Sequence, residues 1–150
     1  MTSGQGDLAT TPRGRVLVLD DDPAVRETIA ELLEERFTVR CVDSITAAWN
    51  TLAGGTFDVV VSDHDLGDGD RTGAAFLRQV AQRHPDVGRI LLTGEVDSPE
   101  VAAVAAEARD DGRLLLLLKP VDPVELLSWV GSGAAMAQLA RARASFRAGA

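Results

Sequence analysis

The sequence predicts an α/β fold built on an open, doubly wound parallel sheet, and three observations lead there. Five short apolar runs of strand length alternate with five amphipathic segments of helix length. Runs such as Val-Val-Val at 59–61 and five leucines at 114–118 are continuously apolar, as strands covered by helices on both faces must be. A chain of 150 residues with 45% apolar composition fills one core and leaves no room for a second catalytic or DNA-binding domain.

Each element carries its own signal. Residues 1–14 are rich in Gly, Thr and Ser with little to bury, which predicts a flexible lead-in before a domain over 15–130. The strand runs are 16–19, 37–42, 57–61, 90–92 and 114–118; only 37–41 alternates, as suits an edge strand. Asp22-Pro23 supplies an N-cap and a first-turn proline to a helix whose Val25, Ile29, Leu32 and Leu33 share a face. A second helix starts at Ser44 and stops at Gly54-Gly55, and a third contains Phe76, Leu77 and Val80 and ends before His84-Pro85. Ser98-Pro99 opens an alanine-rich fourth helix. Asp122-Pro123 opens the fifth, with Glu125 placed as a capping-box partner and Gly131-Ser132-Gly133 expected to end it. Residues 131–150 then read as a loose tail or a short basic helix. Together these elements predict a flavodoxin-like five-stranded parallel sheet in the order 2-1-3-4-5, with helices on both faces.

Fifteen Lys and Arg against 23 Asp and Glu give a net charge of −8. That balance disfavours nucleic acid or an anionic membrane as a partner and favours a cation. There is no run of 18 apolar residues and no apolar stretch near the N-terminus, so a cytoplasmic protein without membrane insertion is expected. The single cysteine, Cys41, cannot form an internal disulfide and is expected at a buried strand position.

In an open parallel sheet, ligands bind beyond the carboxyl ends of the strands. Here the first strand ends in Asp20-Asp21-Asp22 and the third in Ser62-Asp63-His64-Asp65. The fourth ends in Thr93, and the fifth in Lys119-Pro120, which holds the only lysine of the chain. Carboxylates converging within ~5 Å repel one another, and a hard divalent cation with oxygen ligands relieves the cost. Mg²⁺ suits such a site, with Asp21 and Asp63 as direct ligands and Asp20 holding a coordinated water. A lysine point charge and a threonine hydroxyl facing the same spot are what phosphoryl transfer to a carboxylate requires. Simpler roles fit the neighbours: Asp22 as an N-cap, His64 as a solvent or partner contact, Asp68 and Asp70 as solvated turn residues, and Trp49 and Trp129 as core.

The segments VLVLDDDP, DVVVSDHDL, RILLTG and LLLLLKP, in this order and spacing, resemble the receiver domain of two-component response regulators. The resemblance implies that Asp63 accepts a phosphoryl group from a histidine kinase or phosphotransfer protein and passes a signal to a downstream protein. It implies further that Asp20, Asp21, Asp63 and the backbone carbonyl of Asp65 hold Mg²⁺, that Thr93 and Lys119 read the phosphate, and that Asp65 and Glu95 tune its lifetime. It makes the chain a regulatory domain rather than an enzyme, and a homodimer is compatible with it. The sequence departs from the family in three places: Leu116 stands where an aromatic is usual, Gly67 where proline is common, and Asp111-Gly112-Arg113 where a Gly-Ala step is frequent.

Two other readings share some of these residues. A receiver-like binding module that is never phosphorylated would need the fold without the chemistry. A small phosphatase resembling the haloacid dehalogenases would use Asp63-x-Asp65, Thr93 and Lys119 in that order. In that superfamily, however, the acidic pair follows the lysine, whereas here it precedes Asp63.

Overall fold

The computed structural model describes residues 13–95 and 97–149. Five parallel strands form one sheet: β1 (Arg15–Leu19), β2 (Thr38–Val42), β3 (Val59–Asp63), β4 (Gly88–Thr93) and β5 (Leu114–Leu118), in the order β2-β1-β3-β4-β5. The helices between and after them are α1 (Pro23–Glu34), α2 (Ile45–Ala53), α3 (Gly73–Arg83), α4 (Pro99–Asp110) and α5 (Pro123–Gly149). The expected doubly wound architecture and strand order are both present.

Because successive strand side chains face opposite ways, the continuous apolar runs feed two cores. Leu17, Leu19, Val60 and Leu91 pack with Leu52, Phe76, Leu77 and Val104 on one face. Val16, Val18, Val59, Val61 and Ile90 pack with Ile29, Leu33, Leu126 and Val130 on the other. Each fully buried side chain of this kind contributes about 1.5–3 kcal/mol. Side-chain caps start three helices where expected, with Asp22, Ser44 and Ser98 each accepting a backbone N–H of the following turn, and Thr72 does the same for α3. Asp122 does the same for Val124 and Glu125.

Three expectations need correction. Residues 131–133 do not end the last helix: α5 runs through them to Gly149. Gly133 lies where an added Cβ would be 3.1 Å from Val59, and Gly88 lies 3.4 Å from Gly133 in the same sense, so the glycines let helix and sheet approach closely. Burial of Val130, Ala134 and Ala137 around them outweighs a propensity cost of about 1 kcal/mol per glycine. Cys41 is exposed, because it lies on edge strand β2, whose outer side has no neighbouring strand among the described residues. Trp129 is 45% exposed rather than core, whereas Trp49 does pack edge-on to Phe76 at 5.1 Å between ring centres.

The lead-in expected over 1–14 lies outside the described residues as far as residue 12. Arg13 is already held by the Glu34 and Arg36 carbonyls, and the Gly14 carbonyl accepts the Thr38 N–H.

Candidate functional site

The register of the sheet decides what meets at its carboxyl end. Leu19 pairs with Ser62, Asp63 with Leu92, and Thr93 with Leu118. The residues just beyond these pairs, Asp20, Asp21 and Lys119, therefore emerge at one level beside Asp63 and Thr93. Asp20, Asp21, Asp63, Asp65, Thr93, Glu95 and Lys119 all line one cavity of about 330 Å³. The structure thus brings every site residue expected from the sequence to one place.

Within this cavity, the Lys119 ammonium donates to Asp63 Oδ1 at 2.5 Å. One carboxylate oxygen each from Asp20, Asp21 and Asp63 lie within 4.8 Å of one another, with Asp20 and Asp63 buried and Asp21 exposed. Asp20 is fixed by its Oδ1, which accepts the Asp22 N–H at 2.9 Å, while its carbonyl accepts from Arg26. Its Oδ2 is buried without a partner among the described residues. Burial pushes the Asp20 carboxyl above the ordinary carboxylate range, and the charges of Asp63 and Asp21 add to this against the Asp22 N–H and Lys119. Burial does the same to Asp63; the hydrogen bond and charge of Lys119 oppose the shift, and Asp21 and Asp65 reinforce it.

Three carboxylates around one point, with a buried, unpartnered oxygen on Asp20, fit a small hard cation. Asp20, Asp21 and Asp63 are the side chains that would hold it.

Thr93 is buried, and its hydroxyl accepts the Glu95 N–H at 3.0 Å, a local turn at the end of β4. Asp65 accepts the Gly67 N–H at 3.4 Å. Gly67 and Gly69 both have φ near +60°, which glycine adopts without strain. Asp68 and Asp70 stay on this loop away from the cavity, with Asp68 in an exposed pair with Arg71 at 3.6 Å.

Two features of the site escape sequence reading. Gly73 opens α3 directly under the acidic centre: a Cβ there would stand 2.0 Å from the Asp63 carbonyl oxygen, which also accepts the Ser62 hydroxyl. His64 was expected to touch solvent or a partner, but it is buried, with Nε2 3.7 Å from Glu100 at the start of α4. Glu100 also accepts the Thr72 hydroxyl at 2.9 Å, which ties the segment after β3 to α4. An acid in the first turn of a helix facing a preceding strand end is too common a pattern to have singled out Glu100.

A doubly wound parallel sheet in the order 2-1-3-4-5, with an acidic pair, a central aspartate, a threonine and a lysine at its carboxyl rim, defines the receiver class of regulatory domain. The chain belongs to the response regulator receiver domain family, whose model matches residues 16–130. It is 30% identical over 118 residues to the hydrogenase transcriptional regulatory protein HoxA of Bradyrhizobium diazoefficiens, covering 79% of this chain and 23% of that protein. It is 30% identical to the transcriptional regulatory protein FixJ of the same organism, covering 85% of this chain and 60% of that one. The chain thus spans less than two thirds of these curated relatives. Among solved structures it resembles the signal receiver domain of an HD domain-containing protein from Pseudomonas fluorescens Pf-5, at 28% identity and a TM-score of 0.75, covering 89% of this chain and 95% of that one. The family is a regulatory one. Among the described residues no helix is long and apolar enough to cross a membrane.

Proposed function

We propose that this chain accepts a phosphoryl group on Asp63 and uses the modification to alter a contact with another protein. The observation that carries this reading is the Asp63 carboxylate gripped through Oδ1 by Lys119 at 2.5 Å, with Asp20 and Asp21 oxygens within 4.8 Å. Lys119 holds one oxygen, which leaves Oδ2 as the nucleophile. The phosphorus–oxygen bond forms as the phosphorus–nitrogen bond of a phosphohistidine donor breaks, and the departing imidazole takes up a proton. The donor is a histidine kinase or a phosphotransfer protein.

Asp20, Asp21 and Asp63, with the Asp65 carbonyl, would hold Mg²⁺, which when bound would supply positive charge against the negative charge of the transferring phosphoryl group. Lys119 meets the same charge from the other side, and Thr93, released from the Glu95 N–H, donates its hydroxyl to a phosphate oxygen. Asp65 and Glu95, at the rim of the cavity, control how water reaches the acyl phosphate and so its lifetime. The module works in the cytoplasm, where its kinase partner and Mg²⁺ are found.

The test uses purified chain, Mg²⁺ and a small phosphodonor such as acetyl phosphate. One acid-labile phosphoryl group per chain is expected by intact mass, lost with Asp63→Ala or with chelation of Mg²⁺. Multiple turnover of a generic phosphoester would instead indicate a phosphatase. Absence of modification under every donor would leave a binding module with the fold alone.

A further inference from the structure

The amino end of the sheet holds another cavity, which the chemistry at Asp63 leaves unused. It measures about 250 Å³ and lies where the end of α4, the start of β5 and the middle of α5 come together. Ile90, Leu115, Trp129 and Met136 give it apolar walls. Gly88, Gly112 and Gly133 line it as well and contribute no side chain to fill it. Trp129 and Met136 remain 45% and 42% exposed, so the space opens to solvent beside them.

Three charged residues line the same cavity: Arg89, Asp111 and Arg113. Asp111 is already engaged within this group, because its Oδ2 accepts from the Arg89 guanidinium at 2.6 Å and its Oδ1 accepts the Arg113 N–H at 3.0 Å. Two guanidiniums against one carboxylate leave one positive charge over. Arg89 is 5% exposed, and both its Nε and that of Arg113 are buried with no acceptor among the described residues. A buried N–H without an acceptor is costly. Water would satisfy the N–H but not the charge, whereas a carboxylate matches the guanidinium fork and meets both needs.

The remaining features select the rest of the ligand. A tryptophan face beside a methionine thioether favours an aromatic ring over a sugar or a polar chain. The volume lies below the ~300–1,000 Å³ of sites for drug-sized molecules, which suits a single ring with a short acidic arm. One uncompensated positive charge suits a monoanion rather than a dianion.

We propose that this cavity binds a small aromatic monocarboxylate, with its ring against Trp129 and Met136 and its carboxylate toward Arg113 and Arg89. Such a ligand braces α4, β5 and α5 against one another. Lys119 stands at the far end of β5, about 16 Å along the strand, so the ligand and the acidic cavity do not compete for space.

The probe is sodium phenylacetate, titrated into the purified chain and followed by backbone amide NMR. Saturable shifts of the Gly88, Gly112 and Gly133 resonances are expected with a dissociation constant at or below about 1 mM, while Gly67 and Gly69 on the acidic loop stay in place. Binding should weaken at least about tenfold in Arg113→Gln, which removes a charge-assisted hydrogen bond. Met136→Glu should weaken it as well, by placing a negative charge at an exposed position of the wall without touching the ion pairs. Circular dichroism checks that both variants keep the fold.

Phenylacetamide, which has the ring without the charge, and acetate, which has the charge without the ring, are both expected to bind at least about tenfold more weakly than phenylacetate. No saturable shift up to about 10 mM phenylacetate overturns the proposal. So does phenylacetamide or acetate binding as tightly as phenylacetate, or a response confined to the acidic loop.

Discussion

The two ends of the sheet treat buried carboxylates in opposite ways. At the amino end, Asp58 is buried, accepts the Arg15 N–H at 2.8 Å and is paired with the Arg141 guanidinium, which also donates to the Phe57 carbonyl. Beside it, buried Arg89 meets Asp111 at 2.6 Å. Burial alone would raise the Asp111 carboxyl, but the Arg89 hydrogen bond, the Arg113 N–H and both guanidinium charges hold it below the ordinary range. At the carboxyl end, Asp20 keeps an unpartnered oxygen, and burial drives both Asp20 and Asp63 upward. What polar imbalance the amino end retains lies on guanidinium nitrogens, Arg89 Nε and Arg113 Nε, and so has the opposite sense. One end uses its charges to hold the fold together, while the other keeps a negative excess that only a cation or a proton relieves.

Four experiments break or sharpen this contrast. The largest effect is expected from Gly73→Ala, since its Cβ would have to displace the Asp63 carbonyl or the start of α3. Overpacking against backbone costs about 3 kcal/mol, read as a lower urea midpoint together with loss of Mg²⁺ binding.

Asp58→Ala comes next, leaving Arg141 and the Arg15 N–H without their acceptor. Because Arg141 remains 30% exposed, the loss is discounted to about 2 kcal/mol, with Mg²⁺ binding intact.

At the other end the sign reverses. Asp20→Asn keeps an oxygen for the Asp22 N–H and removes a buried charge, so the metal-free chain should gain about 1 kcal/mol. The same variant should lose most of the stabilisation that Mg²⁺ confers on the wild type through mass action.

The smallest effect is the shape of stability against pH. A carboxyl raised in the folded state costs nothing while both states are protonated. As pH climbs past the ordinary value near 4, the unfolded chain ionises first, so Asp20 and Asp63 lower stability until their folded values are passed. Asp111 does the reverse: its contribution is full above the ordinary carboxylate range and is lost as pH falls through its depressed folded value. Urea midpoints from pH 3 to 8 should therefore flatten on the alkaline side in Asp20→Asn and on the acid side in Asp111→Asn.

Much of this was legible in the residues themselves. The strand runs, the caps at Asp22, Ser44 and Ser98, and the acidic and basic residues closing each strand are local patterns, and parallel winding sends all strand ends to one side. Other features depend on partners far away in the chain. Gly73 matters because the Asp63 carbonyl lies on it, and Glu100 because His64 and Thr72 reach it. Residues 131–133 read locally as a helix stop, whereas Gly133 is small because α5 lies close to Val59 and Gly88 of the sheet. Trp129 reads as core by type, yet α5 turns it outward because Leu126 and Val130 already occupy the sheet side.

By itself the sequence determined the class of fold, the order of its elements and the set of groups that could do chemistry, because hydrophobic period, capping and strand-end residues act over a few positions along the chain. Tertiary structure alone decided which carboxylates are relieved and which are not, where the last helix continues, and which face of it is left bare. Those outcomes depend on burial and on distances between residues far apart in sequence, and neither quantity exists until the sheet has closed on both its cores.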